Sequence, residues 1–214
     1  MNARNLLIAL TISMVSLLST QASARTALQK HVAFFDRADD GMITWTDTYE
    51  GCRALGFSMS TSAALATAIN AGLGNSTGGT TFTINVANIH QGKHDSDSDI
   101  YDEDGNYVQK KFDALFDRFD TDNDNGISED EFSVLYSRNY ESATGSVVSR
   151  FEFGLLMDIA GETRTTTSTW SACSYWWCPS YTSTSSYKVL TRTDLSGFYD
   201  GSLLYELAGE QAPF

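Results

Sequence analysis

Residues 120–131 read DTDNDNGISEDE, and they constrain the fold more than any other stretch. Asp120, Asp122 and Asp124 stand at alternate positions, where their like charges repel unless a cation collects them. Calcium takes six to eight oxygens, and the helix–loop–helix EF-hand supplies them from loop positions 1, 3, 5, 7, 9 and 12. Here those positions hold Asp120, Asp122, Asp124, the Gly126 carbonyl, Ser128 and Glu131. Ile127 fills the apolar position of the short strand in such a loop. Asn125 replaces the usual Gly, and Asn visits the left-handed region more readily than most residues. Phe112, Leu115, Phe116 and Phe119 recur at helical spacing before the loop, and Phe132, Leu135 and Tyr136 do so after it.

A second acidic stretch, DRADDGMITWTD at residues 36–47, follows the same pattern less completely. Asp36, Asp40, the Met42 carbonyl, Thr44 and Asp47 offer oxygens, and Gly41 and Ile43 are in place. Ala38 gives none at position 3, and Asp47 has a shorter arm than Glu at position 12. A weaker cation site is expected. The segment between the two loops is too long for a linker and must contribute structure. Leu65, Ala68, Ile69 and Leu73 predict a helix from about Thr61, ended by the breaker cluster GLGNSTGG. Phe82, Ile84 and Val86 predict a short extended segment. FEFGLLMDIA and LTRTDLSGFYDGSLLYELAG are expected to be helical. The expected fold class is mainly α, an EF-hand-containing helical domain with short extended segments.

The N-terminus has a different character. Arg4, the apolar run LLIALTISMVSLL and Ala22-Ser23-Ala24 form the pattern of a cleaved export signal over residues 1–24, leaving one domain at 25–214 and predicting a secreted protein. The net charge of −13 disfavours nucleic acid and anionic headgroups and favours cations. Of three cysteines, Cys52 shares a helical stripe with Trp45 and Tyr49 and reads as buried. Cys173 and Cys178 are the expected disulfide, stapling a Ser/Thr/Trp-rich surface insertion at residues 162–187. That insertion displays Trp170, Tyr175, Trp176, Trp177 and Tyr181, which suits either lipid or carbohydrate contact or a decorated loop. Asn75-Ser76-Thr77 is a glycosylation sequon, with Asn75 the acceptor.

Only three histidines occur, His31, His90 and His94, and the last two fall in NIHQGKHDSDSD. Four segments, LQKHVAFFDRADDG with TYEGCRALGF, NIHQGKHDSDSDIYDEDGNYVQKKF, FEFGLLMDIA and GFYDGSLLYELA, resemble the caleosins, a family of calcium-binding haem peroxygenases. The resemblance implies a b-type haem associated with His31 and His94, the two residues matching the family's haem-associated and catalytic histidines. It also implies oxygen transfer from a fatty-acid hydroperoxide to an unsaturated lipid or similar acceptor. His90 matches the motif without an assignable role. The chain departs from the family's lipid-droplet members in lacking a long apolar, proline-knotted segment after the first loop. It also shows Trp45-Thr46-Asp47 where Pro-Trp-Glu is usual. Two other readings remain: a secreted calcium-binding protein without catalysis that acts at lipid or host surfaces, and zinc at His90 and His94, for which no further ligands stand at a standard spacing.

Overall fold

A computed structural model describes residues 24–92, 100–139, 153–173 and 176–214. Residues 1–23, which make up nearly all of the expected export signal at 1–24, therefore lie outside the described residues, as do His94 and Tyr175. So do the side chains at 136–139.

Helix α1 (Ala27–Ala33) begins with a reciprocal cap: Thr26 Oγ1 accepts from the Gln29 N–H, and the Gln29 side chain accepts from the Thr26 N–H. The helix runs into the first acidic loop, which leads to β1 (Met42–Thr44) and α2 (Trp45–Ala54). Helix α3 (Met59–Leu73) is capped by Ser58 and starts slightly earlier than the apolar pattern suggests. The predicted extended segment is β2 (Thr83–Asn85), antiparallel to β1 with Ile43 opposite Ile84. Those two isoleucines, Val86 and Ile89 form a small buried cluster. A 3-10 helix (Val86–Gln91) follows and packs against α1.

The second half is built on the aromatic stripe of α4 (Gln109–Phe119). Phe112, Leu115, Phe116 and Phe119 are all buried, and each phenylalanine contributes about 1.5–3 kcal/mol relative to exposure. They meet Ile127 of β3 (Gly126–Ser128), Phe132 and Leu135 of α5 (Glu129–Asn139), and Leu156 and Met157 of α6 (153–160) in the main core. Helices α7 (Arg192–Asp200) and α8 (Ser202–Ala208) complete that core and close back onto α1. The C-terminal helical unit is thus two helices, divided at Gly201.

The fold is mixed helix and sheet, where the sequence predicts mainly helix. The difference lies in residues 162–187. Instead of a loop-like insertion, they form most of a long antiparallel hairpin, β4 (Glu162–Ser171) and β5 (Ser180–Thr191), paired from Glu162↔Val189 to Ser171↔Ser180. Threonine favours extended backbone, but both faces of the hairpin are wet, so the apolar alternation that marks a half-buried strand is missing. Only the base enters the core, where Leu190 of β5 sits opposite Ile127 of β3. Each acidic loop therefore pairs its short strand with a partner other than its counterpart loop, β1 with β2 and β3 with β5.

Candidate functional site

In the second acidic loop, carboxylate oxygens of Asp120, Asp122 and Asp124 all lie within 4.8 Å of one another. The backbone folds them inward. Asp120 accepts from the N–H groups of Asp124 and Asn125, both at 3.0 Å, and Asn123 and Asn125 take positive φ of 59° and 64°. Asparagine at those turns is the sequence's substitute for glycine. Gly126 and Ile127 are buried in β3, and Ser128 and Glu131 close the far side. Glu131 accepts from the N–H and hydroxyl of Ser128 (2.9 and 2.8 Å) and from those of Thr121 (2.6 and 2.9 Å). Burial alone would raise its pKa, but these four bonds outweigh burial and lower it. Loss of hydration raises the Asp122 carboxyl, against the Asp124 N–H and with the negative charges of Asp124, Glu131 and Asp120. A group of acids held together in this way suits a divalent cation.

The first loop repeats part of this architecture. Asp36 is buried and accepts from the N–H groups of Asp40 and Gly41 (3.1 and 3.0 Å), the same bonds that Asp120 makes. Asp47 accepts from the N–H and hydroxyl of Thr44, as Glu131 does from Ser128. Asp40 accepts from the Met42 N–H at 2.9 Å, and its neighbour Asp39, which is not at a ligating position, pairs with Arg25.

His31 stands on α1, just ahead of the first loop. Its Nδ1 lies 2.6 Å from the Phe198 carbonyl oxygen, and its ring meets the Phe198 ring edge-on at 4.6 Å. A carbonyl only accepts, so Nδ1 carries the proton and donates. Part of the residue still reaches solvent, yet burial of the ring pushes its pKa below the ordinary histidine value; the Phe198 carbonyl and the Asp200 charge oppose this less strongly. The neutral imidazole so favoured has its lone pair on Nε2, the form that ligates a metal. The turn between α7 and α8 presses against the same helix. Gly201 has φ 88°, and a Cβ there would lie 2.5 Å from the His31 nitrogen.

His90 lies on the 3-10 helix that packs against α1, and Gln29 Nε2 donates to Ala87 O at 3.4 Å between the two elements. The structure thus brings the segments bearing His31 and His90 together. That helix is 3-10 and ends at Gln91, so a shared α-helical face for His90 and His94 does not follow. Two clefts of 390 and 370 Å³ lie elsewhere, the first against Asp122 and Tyr187, the second between α4 and α7. Neither is lined by His31.

The remaining candidates are structural in their setting. Cys173 and Cys178 are bonded at the neck of the hairpin tip. Cys52 is buried, and burial pushes its thiol up to about 11. Asn75 is exposed, whereas Thr77 is buried and its hydroxyl lies 3.0 Å from both the Leu73 and the Gly74 carbonyl at the end of α3. Sequence reasoning missed Arg164 and Tyr187, which reach Asp124 from the hairpin base, and no local pattern marks either one.

A family model described as Caleosin related protein matches residues 23–166. "Probable peroxygenase 4" of Arabidopsis thaliana is 39% identical over 119 residues, covering 53% of this chain and 61% of that protein. The "Peroxygenase" of Lilium longiflorum is 35% identical over 141 residues, covering 63% of this chain and 59% of that protein. The match therefore spans about three-fifths of the length of each relative. No solved structure is significantly similar. Among the described residues, no helix is long and apolar enough to cross a membrane.

Proposed function

Because the chain belongs to the caleosin family, we propose that it is a secreted, calcium-binding haem peroxygenase that transfers oxygen from a fatty-acid hydroperoxide to an unsaturated lipid or similar acceptor. The peroxygenase names of its relatives support the reaction class. The observation that carries the haem assignment is the state of His31. A neutral imidazole with Nδ1–H fixed on the Phe198 carbonyl and its lone pair on Nε2 would suit a nitrogen donor to haem iron. His31 and His94 are the residues that would hold the group.

Haem, when bound, supplies cleavage of the hydroperoxide O–O bond; one oxygen leaves as the alcohol and the other reaches the acceptor as an epoxide or hydroxyl. The protein's contribution is position and environment. The Phe198 carbonyl fixes the imidazole tautomer and ring plane, and Gly201 lets the α7–α8 turn approach the α1 backbone. Phe198, with Phe153 beyond it, sets an aromatic ring against the His31 imidazole.

Calcium is proposed to sit in an EF-hand at residues 120–131, on Asp120, Asp122, Asp124, the Gly126 carbonyl, Ser128 and Glu131, with a weaker site at 36–47. The convergence of the three aspartates supports the first assignment. Secretion rests on residues 1–24 alone.

The deciding experiment is a cumene hydroperoxide-dependent oxidation of oleate by haem-loaded protein, with an absorption spectrum and metal analysis alongside. Turnover with a Soret band is expected. A bound chromophore without turnover would sink the enzymatic reading. Colourless protein that binds calcium would leave a non-catalytic calcium-binding module, and stoichiometric zinc would reassign His90 and His94.

A further inference from the structure

The far end of the β4–β5 hairpin takes no part in the acidic loops or the surroundings of His31. Among the described residues it nevertheless gathers four large exposed rings: Trp170 is 55% exposed, Trp176 96%, Trp177 73% and Tyr181 46%. The family match ends at residue 166, before all of them. We propose that this tip is an interfacial anchor that docks the protein on an electrically neutral phospholipid surface, with the tryptophans entering the headgroup layer.

Charge identifies the occupant. The chain carries −13 overall, yet no charged residue occurs from Thr165 to Tyr187. The tip therefore enters a lipid interface without desolvating an ion, and an indole suits that depth because its ring is apolar and its N–H is polar. The stalk is built from Ser and Thr on both strands, Thr165–Thr169 opposite Thr182–Ser186. At about 3.4 Å per residue, the paired length from Glu162 to Ser171 holds the tip about 30 Å from the hairpin base. That is several times the Debye length of about 8 Å at physiological salt, so the acidic body is largely screened from a surface touched by the tip. With no Lys or Arg from Thr165 to Tyr187, the tip also has nothing to draw it to an anionic surface.

The stalk is paired along its length. Continuous strand pairing and the Cys173–Cys178 disulfide hold the tip, with Ala172 N–H donating to Pro179 O at 3.2 Å across its neck. The stalk then has little ordering entropy to lose on docking. A sugar surface is the rival occupant, and it fits less well. A sugar platform needs open ring faces, whereas Trp170 and Tyr181 stack on each other at 4.7 Å, each covering a face of the other. Trp176 is open on nearly every side, which suits immersion of the whole ring.

The test uses the full chain with its disulfide intact, and lipid binding is read without haem or turnover, so its outcome is independent of the catalytic assignment. Flotation with phosphatidylcholine vesicles and tryptophan emission are measured beside vesicles half composed of phosphatidylserine and beside insoluble cellulose and chitin. Binding to neutral vesicles with a blue shift, and no stronger binding to anionic ones, is expected. Trp176→Ser with Trp177→Ser should lower partitioning on the order of a hundredfold, and Trp176→Ser alone roughly tenfold, with unchanged circular dichroism. Wild-type protein that stays in solution, a double variant that floats like wild type, or retention on polysaccharide alone would each overturn the proposal.

Discussion

Arg164 holds Asp124: its guanidinium Nη1 lies 2.6 Å from the carboxylate Oδ2 and donates to the backbone carbonyl of the same residue at 2.8 Å. The Tyr187 hydroxyl, opposite Arg164 across the hairpin, donates to Oδ2 at 3.2 Å. The other oxygen, Oδ1, is buried and has no hydrogen-bond partner among the described residues. A cation-collecting loop thus has one of its acids already engaged by a positive side chain from another element.

Removing that charge should tighten cation binding. Both side chains are partly exposed, so the ion pair is worth about 1 kcal/mol at most, and Arg164→Gln should raise calcium affinity by roughly fivefold. Calorimetric titration of the two proteins measures this. Weaker binding in the variant would instead mean that Arg164 holds Asp124 in its ligating position.

Glu131→Gln should remove most high-affinity calcium binding, because it takes a charge from the residue that closes the loop onto Thr121 and Ser128. Asp36→Ala should cost less affinity, since its loop has Ala38 at position 3 and the shorter Asp47 at position 12. The reverse order in a titration would overturn the ranking of the two loops. Glu131 also predicts an acid signature in calcium-free protein. Its folded pKa is depressed, so its stabilisation is present above about pH 4.5 and is lost as pH falls through the folded value. Glu131→Gln should flatten the urea midpoint over that range.

What the sequence reveals, and what it hides, follows from the range of each interaction. Asp120, Asp122 and Asp124 are legible because their spacing alone carries the chemistry, and the Phe112–Phe119 stripe because a helix repeats its buried face every turn. The link from Arg164 to Asp124 crosses 40 residues, and the contact from His31 to Phe198 crosses 167. Neither has a local pattern. The hairpin was hidden for another reason: a strand wet on both faces has no apolar period to read.

Gly201→Ala should destabilise the fold by more than about 2 kcal/mol. The left-handed backbone alone costs an alanine about 1–2 kcal/mol, and its Cβ would meet the backbone of Lys30 and His31, which cannot swing aside as a side chain could. Gly209→Ala is the control, with φ 68° but no atom within 4 Å of its Cβ. A urea midpoint for Gly201→Ala no lower than that of Gly209→Ala would remove the close approach from this account.

His31 should titrate below the ordinary histidine value of about 6.5. Burial of the ring disfavours the imidazolium, and the Phe198 carbonyl accepts from Nδ1 in the neutral form as well, so this bond persists when the ring loses its other proton. In the pH interval between the native and unfolded values, the unfolded chain binds more protons than the native one. The stability linked to His31 is therefore complete above about pH 6.5, declines as pH falls through that value toward the native pKa, and levels off below it. The imidazole C2–H resonance in a proton NMR titration gives the native midpoint directly, and His31→Ala identifies the peak. Haem retention should weaken as pH falls through and below the native value, because protonation of Nε2 removes the lone pair that iron needs. A midpoint at or above 6.5 would refute the buried neutral imidazole, and a coloured, active His31→Ala protein would remove His31 from the haem site altogether.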